Sequence, residues 1–409
     1  MIMNTVVLLL TRDLRVHDHP ALAASCANAE RVVPLFVADP ALTVPDNRRR
    51  FLLESLQDLR DGLRRRGGDL LVRSGDPVAE AVRTAREVGA EGIALTADVS
   101  GYAARRQERL ARACARERLA LKLFPGVTIV PAGEVTPSTG GDHYKVFTPY
   151  WRAWQSRRWR GTVATPRKVH LPDGVTGDDP RTVLGDAKSE SPHPMSGGES
   201  EALRRVRNWR TKAAAYADRH DDLPGDATSR LSPYLHFGCL SPLALATTDG
   251  MPEAYLRQLC WRDFYHQLLA AFPKLGTQAF RPGAQEQWHD DPEALQAWQA
   301  GETGVPIVDA GMKQLAAEGW MHNRARLVTA SYLTKTLGLD WRDGAAWYNR
   351  LLIDADVANN YGNWQWVAGT GTDTKPYRRF SPDRQAERFD PDGEYVRRWT
   401  GTGGQPARP

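Results

Sequence analysis

The segment TVVLLL (residues 5–10) is an uninterrupted apolar run, and it is the first of five that decide the fold of the first third of the chain. The others lie at residues 32–37, 70–73, 92–96 and 121–124. Segments with helical periodicity separate them, near residues 20–29, 48–66, 77–88 and 101–118. Continuous apolar strands with helices between them are typical of a parallel sheet covered on both faces. The pattern therefore predicts an α/β domain with a five-stranded parallel sheet over residues 1–130.

This domain is expected to be Rossmann-like in its layering, but it lacks one feature of that fold. No GxGxxG motif follows the first apolar run. Those glycines let a dinucleotide's pyrophosphate approach the backbone at the start of a helix. The sequence therefore does not predict a standard dinucleotide site here.

The pattern changes after residue 130. Residues 131–200 include stretches rich in Gly, Pro, Ser and charge, and they are predicted to form an interdomain linker. Residues 201–399 show apolar periods near 3.6 and no strand pattern, which predicts an all-helical domain. The periodic segments lie at residues 201–219, 242–247, 252–272, 307–318, 324–337 and 344–353. Residues 400–409, TGTGGQPARP, are predicted to be a disordered tail.

Composition excludes several classes of protein. The 409 residues contain four cysteines, far apart and without a CxxC pair, which argues against a zinc site, an iron–sulfur cluster or a disulfide scaffold. No apolar run is long enough to span a membrane. We therefore expect a cytoplasmic protein without a metal.

Positive charge is concentrated in one stretch. The net charge is only +5, but residues 143–172 contain no acid, seven Lys or Arg residues and three Trp residues. A solvated basic face and a surface that follows nucleic-acid phosphates both fit this pattern.

Two segments near the end of the chain carry the strongest functional pattern. They are GWMHNRARL (residues 319–327) and IDADVANNYGNWQW (residues 353–366). Charges, amides and indole rings are costly to bury together unless they pair with one another or with a ligand. The mixture suits a large, flat, charged cofactor beside oxidisable rings.

Two earlier segments add to this site. TSRLSPYLHFG (residues 228–238) places hydroxyls before a helix, which suits a phosphate but also fits a plain helix cap. In QLCWRDFYHQLL (residues 258–269), Gln258, Trp261 and Arg262 share one helix face. That face is either the wall of a base-binding pocket or part of an amphipathic helix with a buried Trp.

Together these segments resemble the DNA photolyase/cryptochrome family, and most closely the bacterial class I cyclobutane pyrimidine dimer photolyases. The resemblance runs from TRDLRVHDHPAL (residues 11–22) to FDPDGEYVRRW (residues 389–399). It implies an α/β antenna domain, a wrapping linker and an all-α C-terminal domain that binds FAD. The implied function is light-driven repair of cyclobutane pyrimidine dimers in UV-damaged DNA, by electron transfer from photoexcited reduced FAD.

The resemblance also assigns roles to individual residues. The implied FAD contacts are Tyr216, Thr228, Ser229, Arg230, Leu231, Ser232, Tyr255, Arg262, Trp320, Asn323, Arg326, Asp354, Asp356 and Asn360, with Arg326 paired to Asp354. The implied DNA and dimer contacts are Gln258, Trp261, Asn323, Arg324, Leu327, Trp366, Lys375 and Arg378. The implied redox residues are Asn360, facing flavin N5, and a tryptophan chain of Trp364, Trp341 and Trp298 that reaches the surface at Trp298.

Two departures from the family pattern leave alternatives open. Gln258 stands where many class I photolyases have Glu, and Leu327 stands where the family often has Met. A cryptochrome-like blue-light receptor and a flavoprotein of this fold repurposed to other chemistry therefore remain alternatives.

A second chromophore is a separate question. LTADVSGYAARR (residues 95–106) lacks the NE-type signature of folate binders, which favours the deazaflavin 8-HDF over folate, with an empty site as the alternative. We expect a monomer that binds neither a membrane nor a metal.

Overall fold

The computed structural model describes residues 3–138 and 140–401. Its first part is a five-stranded sheet in which every pairing is parallel and the strand order is β3-β2-β1-β4-β5. The strands are β1 (Met3–Leu10), β2 (Ala29–Ala38), β3 (Leu71–Ser74), β4 (Gly92–Thr96) and β5 (Ala120–Phe124). The helices between them are α1 (Pro20–Asn28), α2 (Asp46–Arg64), α3 (Pro77–Glu87) and α4 (Gly101–Glu117). The predicted α/β fold is confirmed.

The burial of β1 fits its central position in the strand order. β1 is central, and Val6 pairs with Val32 on one side and Gly92 on the other. Its side chains are buried from Thr5 onward, as expected for a strand covered by helices on both faces. The chain order reverses between β1 and β4, so the carboxyl ends of these two strands form the cleft where open α/β sheets bind ligands.

Helices make up the remainder of the fold. They are α5 (Phe147–Ser156), α6 (Arg181–Leu184), α7 (Glu199–Arg210), α8 (Tyr216–Arg219), α9 (Ser232–Phe237), α10 (Pro242–Ala246), α11 (Glu253–Ala271), α12 (Pro292–Ala300), α13 (Pro306–Glu318), α14 (Asn323–Ser331), α15 (Trp341–Leu351), α16 (Val357–Ala368), α17 (Pro382–Phe389) and α18 (Glu394–Thr400). Between residues 201 and 401 the only β pairing is one isolated bridge, His289 to Leu339. Thr400 is therefore helical rather than part of a tail, and residues 402–409 lie outside the described residues.

The helix predicted over residues 201–219 is wrong in its length. α7 ends at Arg210, and a 3-10 turn at Ala213–Ala215 separates it from α8. The rings of Trp209 and Tyr216 lie 5.9 Å apart, edge to face. In one continuous helix, seven residues would advance about 10.5 Å along the axis. The break lets both rings pack at the same place.

The segment predicted as a linker also holds a helix. In α5, Phe147, Tyr150, Trp151 and Trp154 are buried at helical spacing. Asp263 on α11 connects the helical domain to this segment. One of its carboxylate oxygens accepts from the Trp154 indole at 2.9 Å and from the backbone amides of Ile129 and Val130. Burial raises the pKa of Asp263 to about 6. The segment thus packs closely on the helical domain.

Three buried histidines make the fold sensitive to acid. Burial lowers the pKa of His236, His266 and His322 to about 4, from the ordinary value of 6.5. Between these values the unfolded chain binds protons that the folded chain does not, so stability is lost as the pH falls through that window. We expect the melting temperature to fall steadily from about pH 7 to about pH 5 in calorimetric scans.

A single substitution provides the control for this acid sensitivity. The His322 ring nitrogen accepts from the Arg324 amide at 3.1 Å at the start of α14, and Asn accepts equally well at such a position. His322→Asn should therefore keep the helix cap and flatten the pH dependence. Asp263 contributes in the opposite sense, since its raised pKa favours the fold at low pH. A pH dependence unchanged in His322→Asn would contradict the account.

Candidate functional site

A cavity of about 470 Å³ opens between the helices of the C-terminal part. Twenty of the residues singled out from the sequence line it: Tyr216, Thr228, Ser229, Arg230, Leu231, Ser232, Tyr255, Gln258, Trp261, Arg262, Trp320, Asn323, Arg324, Arg326, Leu327, Asp354, Asp356, Asn360, Trp364 and Trp366. Trp298, Trp341, Lys375 and Arg378 are not among the lining residues. Segments more than a hundred residues apart therefore meet at one site.

An ion pair forms one part of the wall. The Arg326 guanidinium donates to both oxygens of Asp354, at 2.9 and 3.1 Å, and its Nε donates to the Met321 carbonyl at 2.8 Å. Asp354 is almost completely buried, whereas about a quarter of the Arg326 side chain is exposed. The two charges compensate each other and leave a rigid polar surface beside the cavity.

The start of α16 brings two further polar groups to the wall. Asp356 caps the helix by accepting from the Asn359 amide at 2.9 Å. One turn on, the Asn360 side-chain nitrogen donates to the Ala345 carbonyl at 3.1 Å. That bond uses one of the two N–H donors and fixes the orientation of the amide, while the amide oxygen of Asn360 can accept from a ligand.

The hydroxyl-rich segment lies at another end of the cavity. The hydroxyls of Ser229 and Tyr255 are 2.9 Å apart, and Ser232, the first residue of α9, accepts from the Trp320 indole at 3.3 Å. Arg230, an implied FAD contact, has two acidic partners. It pairs with Asp226 at 2.6 Å and Glu318 at 3.0 Å, so two carboxylates already neutralise it.

Aromatic rings form another part of the cavity wall. Trp261 lines the cavity, and Phe147 stacks on it with centroids 3.6 Å apart and planes 3° apart. The Arg257 guanidinium lies over the Phe147 ring, 5.0 Å from its centroid. Phe147 was not among the predicted site residues. The apolar spacing of FTPYWRAW (residues 147–154) was the signal that could have revealed it.

The positive side chains predicted to contact DNA differ in their partners. Arg324 makes two hydrogen bonds to the carboxylate of Asp221, which compensates its charge, and its contact with DNA stays a prediction. By contrast, Lys375 and Arg378 are exposed, and Arg378 lies 5.1 Å from the ring of Trp366, which lines the cavity. In the basic stretch, Arg152, Arg158, Arg167 and Lys168 are exposed.

The tryptophan chain differs from the prediction at its outer end. Trp364 lines the cavity, but Trp298 is completely buried and donates to the Thr329 carbonyl at 3.0 Å. It therefore cannot be the surface end that was predicted. Trp288 is half-buried and packs against the same hydrophobic cluster as Trp341. The residue after Trp288 pairs with Leu339, two positions before Trp341.

The polar atoms of the wall fit a flavin nucleotide. Among the described residues, the Trp364 indole nitrogen and the His236 Nδ1 are buried at the cavity without a hydrogen-bond partner. Buried polar atoms of this kind are costly unless a ligand satisfies them. Aromatic rings beside amides suit a flat heterocycle, and the hydroxyls suit phosphates. The site defines a flavin-binding class of protein.

Comparison with known proteins identifies the family. Residues 6–170 match the family model described as DNA photolyase, and residues 255–402 match the FAD binding domain of DNA photolyase. Over 97% of its length the chain is 48% identical to the deoxyribodipyrimidine photo-lyase of Streptomyces griseus, covering 89% of that protein. The chain belongs to the DNA photolyase family.

Solved structures of photolyases have the same fold as this chain. A class III photolyase from Agrobacterium tumefaciens matches with a TM-score of 0.90 and 30% identity, over 98% of this chain and 87% of that one. An archaeal photolyase from Sulfolobus tokodaii, described with two FAD molecules, matches with a TM-score of 0.85 and 29% identity, over 97% of this chain and 90% of that one. In the described residues no helix is long and apolar enough to cross a membrane, and no acidic, His or Cys cluster could hold a metal.

Proposed function

We propose that the protein repairs cyclobutane pyrimidine dimers in DNA, driven by light and dependent on FAD. One observation carries this proposal: a single cavity combines the polar wall of Arg326, Asp354 and Asn360 with the aromatic wall of Trp261 and Trp366. The first wall suits a flavin and the second suits a flipped pyrimidine pair. The flavin as electron donor and the pyrimidine dimer as electron acceptor would then lie in the same cavity.

The chain's own residues bind, orient and exclude water, while bound FAD in its reduced form supplies the electron under blue light. Arg326 and Asp354 hold the polar edge of the ring, and the Asn360 amide oxygen offers an acceptor. Because Arg230 is neutralised, hydroxyls and backbone amides near Ser229 and Ser232 are the groups proposed to hold the pyrophosphate. Trp261, with Phe147 stacked behind it, offers a rigid face for a base.

The tryptophans are proposed to transfer electrons to oxidised flavin, which restores its reduced form, rather than to act in dimer splitting. Trp364 lies at the cavity, and Trp341 belongs to the same hydrophobic cluster. We place the exposed end of this chain at Trp288, because that ring reaches the surface and Trp298 does not. A final donor at the surface can release a proton to water and take an electron from a reductant in solution.

A second, light-harvesting chromophore is proposed for the α/β domain. The cleft at the carboxyl ends of β1 and β4 is the expected binding position in a sheet of this order. The Sulfolobus tokodaii structure is described as implying a novel light-harvesting cofactor. The residues favour 8-HDF over folate, since residues 95–106 lack the folate-type signature.

Gln258 tests how the pocket recognises the dimer. Its amide lines the cavity one helical turn from Trp261, so it can donate to a thymine carbonyl. We expect Gln258→Ala to weaken binding of a dimer-containing duplex by up to about tenfold, the loss of one hydrogen bond. Affinity for the intact duplex should not change, which serves as the control. Equal loss on both duplexes would show that Gln258 has no part in recognition.

Binding in the dark followed by illumination tests the proposed function. An oligonucleotide duplex with one cyclobutane thymine dimer should bind more tightly than the intact duplex, with an affinity that falls steeply as salt rises. Blue light should then release the reduced protein from the damaged duplex, because repair removes the bound feature. Equal affinity for both duplexes, or a complex that persists in the light, would contradict the proposal.

A further inference from the structure

Arg12, immediately after β1, connects the α/β domain to the wall of the cavity. Its Nε donates to the His236 carbonyl at 3.0 Å, and Nη1 donates to Asp98 at 3.3 Å. Nη2 donates to Asp356, a residue 344 positions away in the chain. Asp356 lines the cavity, whereas Arg12 is not among the lining residues. The guanidinium thus contacts a residue of the cavity wall without lining the cavity itself.

Asp356 is well placed to transmit this contact. One of its oxygens accepts from both the backbone and the side chain of Asn359, at 2.9 and 2.8 Å, and so caps α16. The same helix carries Asn360 and Trp364 to the cavity. The other Asp356 oxygen meets Arg12. Arg12 therefore fixes the position of the carboxylate that begins the helix.

Arg12 is also the cation that compensates Asp356. Although Asp356 is almost completely buried, which would raise its pKa, the Arg12 charge holds that pKa well below its usual range. His266 and His236 have ring nitrogens 3.7 and 3.9 Å from Asp356, but burial lowers the pKa of both to about 4. Both are therefore neutral near pH 7.

The other cation near Asp356, Arg262, makes no hydrogen bond to it. The Arg262 guanidinium donates to the carbonyls of Val127 and Leu235. Asp98, on the far side of Arg12, is a second carboxylate and adds negative charge. Without Arg12, Arg262 alone would face two buried carboxylates, which leaves a net negative charge at the cavity wall.

We propose that Arg12 is a positioning residue for the flavin, which sets FAD affinity and the flavin midpoint potential through Asp356. The role rests on the proposed function, because it requires FAD to occupy the cavity beside Asp356. FAD carries a negatively charged diphosphate, and reduction adds negative charge to the flavin. An uncompensated carboxylate repels both.

The test compares full-length variants by flavin fluorescence titration and spectroelectrochemistry. Arg12→Gln should weaken FAD binding by about tenfold, equivalent to ~1.4 kcal/mol, and shift the midpoint potential to a more negative value. Arg12→Lys keeps the charge and should recover most of both properties. Wild-type affinity and potential in Arg12→Gln would overturn the proposal. Failure of the wild-type protein to bind FAD would instead overturn the proposed function.

Arg160→Gln is the matched control. Arg160 donates to both oxygens of Asp18 at 2.7 and 2.8 Å, and its side chain is exposed to almost the same extent as that of Arg12. It also joins two parts of the chain, but it does not line the cavity. Its FAD affinity and potential should match the wild type. A loss equal to that of Arg12→Gln would mean that general destabilisation, not the flavin site, explains the effect.

A second pair of variants covers the case in which Arg12→Gln does not fold. Asp356→Asn removes one negative charge and leaves Arg12 paired with Asp98, and should shift the midpoint potential to a more positive value. Adding Arg12→Gln to Asp356→Asn removes one positive charge, which restores the net charge of the wild type, and should return the potential toward the wild type. A potential that does not change between these two variants would overturn the proposal.

Discussion

The Trp364→Phe variant is expected to reduce oxidised FAD under blue light at least about tenfold more slowly than the wild type, equivalent to ~1.4 kcal/mol in barrier height. Within the proposed tryptophan chain, Trp364 is the residue that lines the cavity. Its ring nitrogen has no hydrogen-bond partner among the described residues. Phenylalanine keeps an aromatic ring but is far harder to oxidise. Transient absorption of the flavin after a light pulse measures the effect.

Repair by the same variant should be unaffected when its FAD is reduced chemically beforehand. The chain of tryptophans restores the reduced flavin, and the repair cycle itself returns the electron to it. Trp347→Phe is the control, because Trp347 belongs to the same hydrophobic cluster but does not line the cavity. Loss of repair from the pre-reduced Trp364→Phe protein would show that this residue acts in dimer splitting.

The Arg326→Ala variant is expected to be purified without bound FAD. Removing one partner of a buried pair leaves Asp354 uncompensated, which typically costs about 3–5 kcal/mol, and the partial exposure of Arg326 points to the lower end of that range. The loss should appear both as absent flavin absorbance and as a lower melting temperature.

A double variant separates charge from packing in this prediction. Arg326→Ala with Asp354→Asn removes both charges and should melt at a higher temperature than Arg326→Ala alone. Arg60→Ala, which breaks a pair with Asp69 in the α/β domain, is the control and should keep its FAD. FAD bound normally by Arg326→Ala would contradict the role given to the pair.

Local patterns allowed the sheet and most of the cavity wall to be predicted. The apolar runs at residues 5–10 and 92–96 predict β1 and β4, because a strand buried on both faces is apolar at nearly every position. The segments at residues 319–327 and 353–366 concentrate groups that need partners, and both line the cavity. Helix faces and charge density are properties of neighbouring residues, so sequence alone reveals them.

Pairings between distant residues could not be predicted in this way. Arg324 was expected at DNA, but Asp221 neutralises it from 103 positions away. Trp298 was expected at the surface, but its burial depends on how α12 packs against the cluster around Thr329. Phe147 belongs to a segment expected to be a linker, yet it stacks on Trp261. The partners of Arg324 and Trp298 depend on tertiary contacts that carry no local signal. The apolar spacing of residues 147–154 indicates a buried helix, but not the ring on which Phe147 stacks.

Single-turnover repair tests the central claim most directly. The protein, reduced with dithionite, would be mixed with an oligonucleotide bearing one cyclobutane thymine dimer, and with a (6-4) photoproduct in parallel, then exposed to blue light or kept dark. The account predicts splitting of the cyclobutane dimer in the light only. Failure on both lesions by a protein that binds and photoreduces FAD would contradict it, and would favour a blue-light receptor or a flavoprotein with other chemistry.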